Sequence, residues 1–194
     1  MLAPKRLYYG KDIKNIIFHS NTVVKYFKTS DSYQKTHYFL TLVNNNDIFP
    51  YMYSYDGNKK SIIMSNCGDL MSLHNLPTNW REQFNKIRNS FKKYGLCILD
   101  VRFLPYTPYV VNNICVKNGK LSIVDVALYR PRSDIYIDYK LGFLEYQLLI
   151  YYNLNKIGGK FIFPFLFLIH ILCECIRMFL DFLEILILRD VFVF

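Results

Sequence analysis

The stretch NNICVKNGKLSIVDV, Asn112 to Val126, constrains the fold more than any other part of the chain. Asn118-Gly119 sits between two runs of apolar and β-branched residues. Asn and Gly accept the positive φ angles of a two-residue hairpin turn, so the pair predicts two antiparallel strands joined there. Pairing alone then carries Asn113 and Asp125 to one end of a two-stranded unit.

The remaining pattern supplies the elements around that hairpin. NIIFHS and TVVKYFK, separated by Ser20-Asn21, read as a first hairpin. SDSYQKTHYFLTLV reads as a helix, with Ser30 or Asp31 as N-cap and Tyr38, Phe39 and Leu42 on its apolar face. DIFPYMYSYDGNKKSIIMSNCG gives a further hairpin turning at Asp56-Gly57, after which GDLMSL leaves the sheet. From Pro77 the period becomes helical: Trp80, Phe84, Ile87 and Phe91 recur every three or four residues, Thr78 or Asn79 stands at the N-cap, lysines fill the last turn and Gly95 ends it. LCILDV reads as another short strand. The order predicts an α+β chain of two lobes: a small β-rich part over residues 1–67, a second part over 68–158, and an apolar segment over 159–194.

Charge and cysteine content narrow the function classes. The formal net charge is +9, and residues 1–95 carry 14 basic against 6 acidic side chains while residues 161–194 carry 2 against 4. A basic field favours nucleic acid, nucleotide phosphates or anionic lipid, although lysines spread singly are ordinarily just solvated charge. Lysines and aromatics interleave in KYFKTSDSYQK, as in single-strand binders, but a strand followed by a helix explains that pattern, so nucleic acid is not the expected partner. Five cysteines without a C-x-x-C pair argue against a disulfide framework or structural zinc. MLAPKRLYYG lacks the apolar core of a signal peptide, so secretion is not expected.

These residues resemble the protein-kinase-like fold, in particular the very short kinase-like proteins of large DNA viruses and some microbes. The resemblance spans roughly residues 9–150. Lys25 in TVVKYFK matches the lysine of the third strand that holds nucleotide phosphates. SIIMSNCGDLMSL resembles the hinge between lobes, and NLPTNWREQFNKI the helix that opens the larger lobe. Asp100 matches the catalytic-loop aspartate, Asn113 the metal-binding asparagine and Asp125 the metal-binding aspartate. The resemblance thus implies a bilobal fold with a reduced helical C-lobe, and ATP and magnesium as cofactors. Phosphoryl transfer depends mainly on positioning and charge neutralisation, which is what a lysine, a carboxylate base and an Asn/Asp metal pair supply.

The departures from the family point to lost chemistry. The region before Lys25 holds one glycine, Gly10, in place of a glycine-rich loop. Where a glutamate should pair with Lys25, the following helix offers Lys35, Thr36 or His37. Ile98 replaces the histidine of the catalytic loop, and Val126 and Ala127 replace the phenylalanine and glycine after the metal-binding aspartate. Asp100 and Asn113 are thirteen residues apart where the family has five. The extra stretch VRFLPYTPYVV is apolar, has two prolines and no acid, and reads as a contact surface over residues 101–111 that fills the place of substrate. Apart from the resemblance, Asp100 reads as a strand-end cap, Asn112 and Asn113 as turn chemistry, and Asp125 as a polar residue on a half-exposed strand. The expectation is a degenerate kinase-like module in which nucleotide binding is weak or lost. An active serine/threonine-type kinase, or a minor capsid or inner-membrane-associated component of a virus particle, are the alternatives.

Residues 161–188 are long enough to cross a bilayer, yet His170, Glu174, Arg177, Asp181 and Glu184 recur at intervals of 4, 3, 4 and 3. On a helix those five form one narrow stripe, with Leu, Ile, Phe and Met around the remainder. Spanning a membrane, lying on its surface and burial against protein all fit this pattern. The expected partners are therefore proteins, met through residues 101–111 and the C-terminal helix, and a membrane, with the protein in the host cytoplasm or virion.

Overall fold

The structure, a computed structural model, describes residues 12–94, 96–98, 103–104, 107–124, 129–131 and 134–158, together with residues 168, 169, 171–173, 175, 176, 178 and 179. Its upper part begins with β1 (Ile13–Phe18) and β2 (Thr22–Phe27), an antiparallel hairpin pairing Phe18 with Val23 through Ile13 with Phe27. The turn closes through a bond from His19 N to Thr22 O of 2.8 Å.

Helix α1 (Ser30–Val43) follows at once. Its N-cap is Thr29, one residue ahead of the expected Ser30 or Asp31: the Thr29 hydroxyl accepts from Ser32 N at 3.2 Å. The apolar face also differs from expectation. Phe39 is buried, but Tyr38 and Leu42 are 66% and 46% exposed, and the stripe facing inward is Tyr33, Thr36, Phe39, Leu40 and Val43. The polar Thr36 hides that stripe from a reading by hydrophobicity, and it can be buried because its hydroxyl donates to Ser32 O at 2.9 Å.

Strands β3 (Met52–Asp56) and β4 (Ser61–Ser65) complete an antiparallel sheet of order β1-β2-β4-β3. The turn between them is a four-residue loop in which the left-handed residue is Lys60, φ 50°, and not the expected Gly57. The Asp56 carboxylate directs the loop, accepting from Asn58 N and Lys59 N at 3.0 Å each. On the outer edge, β3 carries a bulge between Met52 and Ser54. There Met52 N donates to Asn44 Oδ1 at 2.6 Å and Met52 O accepts from Asn44 Nδ2 at 3.4 Å.

Below the crossing segment at 66–68, β5 (Asp69–Ser72) leaves the first sheet and pairs with a strand of the second. Helix α2 (Trp80–Tyr94) buries Trp80, Phe84, Ile87 and Phe91, the spacing read from the sequence. Asn79 sits at its start, its carboxamide oxygen accepting from Gln83 Nε2 at 2.8 Å, and Gly95 lies outside the described residues. Next come β6 (Leu96–Ile98), β7 (Phe103–Leu104), β8 (Thr107–Lys117), β9 (Lys120–Ile123) and β10 (Tyr129–Pro131). β8 pairs with β5, β7 and β9, while β6 pairs with β10. The turn from β8 to β9 is Asn118-Gly119 with φ 52° and 73°, as that dipeptide requires.

Within the extra stretch, residues 103–104 and 107–111 form a hairpin of β7 and the first half of β8, with Phe103 and Val111 fully buried. Among the described residues, six strands accompany two helices in the lower part. The second of these, α3 (Asp134–Gly158), buries Leu141, Leu144, Leu148 and Tyr151. An ion pair joins Arg88 of α2 to Glu145 of α3, and Tyr151 meets Phe103 edge-on at 4.9 Å.

The loop from α1 to β3 ties the two parts together. Ile123 N donates to Ile48 O at 2.8 Å, and Asn46 Nδ2 donates to Ser90 Oγ at 3.0 Å. Phe49 lies between Phe39 of α1 and Phe91 of α2, 5.3 and 5.9 Å away. One buried apolar cluster therefore runs from Val23 through Ile62 and Phe91 to Tyr151. The result is a mixed α+β chain with antiparallel sheets. No helix among the described residues is long and apolar enough to cross a membrane.

Candidate functional site

Lys25 stands in the middle of β2, paired with Ile16 on one side and Ile62 on the other. Strand alternation places it on the face of Val23 and Phe27, the face on which α1 packs. In the second sheet, Cys115 of β8 pairs with Leu70 of β5. The Cys115 thiol is pushed up to about 12: burial is the main cause, Cys67 and Asp69 add to it, and the Lys25 ammonium opposes it.

The crossing segment closes this site on one side. Asn66 Nδ2 donates to His19 O at 2.7 Å and Asn66 N donates to Asn21 O at 2.9 Å, fastening the segment to the β1–β2 turn. The same side chain accepts from Gly68 N at 3.0 Å. Gly68 has φ 88°, and a Cβ there would lie 2.1 Å from Val116 O, so only glycine lets the segment lie directly on β8. Burial also raises the Cys67 thiol, against hydrogen bonds from Ser122 and Ser65 and the nearby charges of Lys117 and Lys120. Both thiols are therefore neutral packing groups at ordinary pH rather than nucleophiles.

Asn113 lies where β8 departs from regular pairing. Leu70 pairs with Cys115 but Ser72 with Val110, so two steps along β5 correspond to five along β8. Within this distortion Asn113 has φ 60°, a conformation that asparagine tolerates better than most side chains. Asn112 and Asn113 are both half-buried. The β8–β9 ladder continues past them, with Val124 N donating to Asn113 O at 3.0 Å.

Of the four residues singled out by sequence, the structure positions Lys25 and Asn113. Asp100 and Asp125 lie outside the described residues, although the strands flanking them are paired, Ile98 of β6 with Tyr129 of β10. Among the described residues, no group of three or more His, Cys, Asp or Glu side chains comes together to hold a metal ion. None of the three positions opposite Lys25 in the sequence brings a carboxylate. Lys35 is exposed and bound to Asp31 at 2.7 Å, Thr36 is bonded to its own helix, and His37 stacks against Tyr33.

The sequence reading passed over Asn66 and the two thiols. Asn66 followed two residues later by Gly68 is a recognisable turn signal, whereas nothing in the sequence marks Cys67 or Cys115 as cleft residues. It also missed a cleft of about 630 Å³ between the α1–β3 loop, the crossing segment and the β8–β9 turn, lined among others by Asn44, Asp47, Tyr51, Cys67 and Lys117. Lys25 and Asn113 are not among its lining residues, but it shares Asn66 and Cys67 of the crossing segment with the candidate site.

No protein-family model and no curated protein sequence matches the chain significantly. Among solved structures, the chain is similar to the Legionella pneumophila Lpg2603 kinase bound to IP6, at 12% sequence identity and a TM-score of 0.40. The match covers 77% of this chain and 58% of that one, so the chain spans less than two thirds of that kinase's length.

Proposed function

We propose that the chain is a protein-kinase-like module that holds a nucleotide weakly, transfers its phosphoryl group poorly or not at all, and serves as a binding or scaffold element at a membrane. The observation that carries this reading is the placement of Lys25 at the centre of β2 in the upper sheet, together with the left-handed Asn113 of β8, the strand on which the crossing segment rests at Gly68. Support also comes from the helix inserted between the second and third strands of a β1-β2-β4-β3 sheet, and from the β8–β9 hairpin that carries the asparagine.

In this reading Lys25 neutralises phosphate charge. Magnesium, when bound, would be held by oxygens of Asn113 and Asp125, hard ligands suited to that cation, and would neutralise phosphate charge in turn. Asp100 would accept the proton of an acceptor hydroxyl. The buried face of α1, made of Ser32, Tyr33, Thr36, Phe39, Leu40 and Val43, contains no glutamate of the kind the family places on this helix, which supports weak transfer. The β7–β8 hairpin adds to this, because Phe103 and Val111 commit part of the extra stretch to the core.

Thermal unfolding of the full chain with ATP and magnesium tests the reading. ATP at ten times its Kd would add about 1.4 kcal/mol, on the order of 3–6 °C for a chain of this size. The shift should vanish in Lys25→Ala, and wild-type turnover should stay below roughly 0.01 per second, against 1–100 for working kinases. A wild type that melts at the same temperature with and without nucleotide ends the nucleotide reading. Turnover in the normal range would instead make it an active kinase.

A further inference from the structure

The described residues between 168 and 179 are helical, and their exposure divides the helix into unequal sides. Leu168, Ile171, Leu172, Ile176, Met178 and Phe179 are 44–64% exposed, values high for large apolar groups. Ile169, by contrast, packs against the core cluster, and Cys173 is half-buried. At 100° per residue the six exposed residues cover an arc of about 160°, while Ile169 and Cys173 fall together beyond one end of it. By sequence alone, the stripe of His170, Glu174, Arg177, Asp181 and Glu184 occupies about 80° of what remains.

We infer that this helix lies in the plane of an anionic membrane surface, Ile169 holding it to the body and the arc centred on Leu168 and Phe179 entering the lipid. The inference rests on the membrane part of the proposed function and is independent of its nucleotide cleft. Two features select this occupant. A helix crossing the bilayer would need lipid or another span around its whole girth, whereas here the Ile169 side is taken by the folded body, so that only one arc can meet lipid. Charge supplies the second. The tail itself carries 2 basic and 4 acidic residues and would not seek anionic lipid, but residues 1–95 carry 14 basic against 6 acidic, and a docked helix brings that body to the headgroups.

Sedimentation of the full chain with vesicles of phosphatidylcholine, with and without phosphatidylserine, tests this in the absence of nucleotide. Wild type should bind the mixed vesicles and be released as salt rises. Leu172→Glu with Phe179→Glu should weaken binding at least about tenfold while leaving the melting temperature unchanged, because both side chains are already exposed. Wild type that ignores both vesicle types would overturn the membrane reading and the arc together. Equal binding by wild type and double variant would leave membrane association standing and overturn the arc. A dimer in sedimentation equilibrium that the double variant converts to monomer would assign the arc to a second copy of the chain. None of these results touches the nucleotide cleft, which the ATP-dependent melting shift reports separately.

Discussion

Strand β2 keeps step with β4 through five successive pairs, Thr22 with Ser65 to Tyr26 with Ser61, without a break. Strand β8 slips three residues against β5 between its pairings at Val110 and Cys115, and turns Asn113 into a left-handed conformation as it does so. Both strands border the same candidate site. The regular one presents a single lysine from a sheet whose register is fixed by buried partners such as Ile62 and Met64. The irregular one gives up regular pairing between Val110 and Cys115, the stretch that holds Asn113. A slip between Val110 and Cys115 that turns Asn113 left-handed, while Val111, Ile114 and Cys115 stay buried, is the kind of local irregularity that accompanies function.

The contrast can be broken most directly at Phe103. If the hairpin of β7 and β8 is a structural support for the irregular strand, Phe103→Ala should cost about 3–5 kcal/mol, the range for a fully buried phenylalanine. A urea midpoint close to wild type would show instead that residues 103–111 are dispensable to the fold. A smaller effect separates two glycines beside the same strand. Gly68→Ala adds both positive-φ strain and a collision with Val116 O, for an expected loss of about 3 kcal/mol, whereas Gly119→Ala, with open space around it, should lose about 1 kcal/mol from strain alone. Equal losses would mean that β5 can move away from β8 freely, and that the crossing segment does not hold the site's width.

The last expected effect is a dependence on pH, confined to alkaline conditions. Cys115 keeps its proton in the folded chain up to about 12, while an unfolded thiol loses it near 9. Between those values the unfolded state binds fewer protons, so stability is fully present below about pH 9 and falls as pH rises toward 12, by at most about 1.4 kcal/mol per unit. Cys115→Ala should remove this part of the slope, as read by denaturant unfolding at successive pH values. An unchanged slope would place the thiol outside the buried environment described.

The regular half was legible in the sequence and the irregular half only in outline, for physical reasons. Trp80, Phe84, Ile87 and Phe91 declare α2 because helix period and burial coincide there, and Asn118-Gly119 declares its turn because few other pairs take two positive φ angles. Thr36 blurred the face of α1 because a hydroxyl satisfied by its own helix can be buried without looking apolar. In the β3–β4 loop the sequence pointed to Gly57, but the Asp56 carboxylate moves the left-handed position to Lys60. Residues 103–111 resisted reading most, since alternation cannot be followed through prolines and a three-residue slip. At the site, Lys25 and Asn113 were identifiable by residue type and order, whereas Cys67, Asn66 and Cys115 join it only through tertiary pairing.

The carboxamide of Asn44 acts on the outermost strand of the upper sheet. Strand β3 is short and free of proline, contains Tyr53 and Tyr55 and follows Tyr51, each about half exposed, a composition suited to recruiting further strands from other chains. By taking both main-chain groups of Met52, Asn44 occupies the place where an incoming strand would dock, and the bulge beside it spoils the register for any that approached. One uncharged side chain at the end of a helix thereby occupies main-chain groups that this tyrosine-rich edge would otherwise offer to another strand.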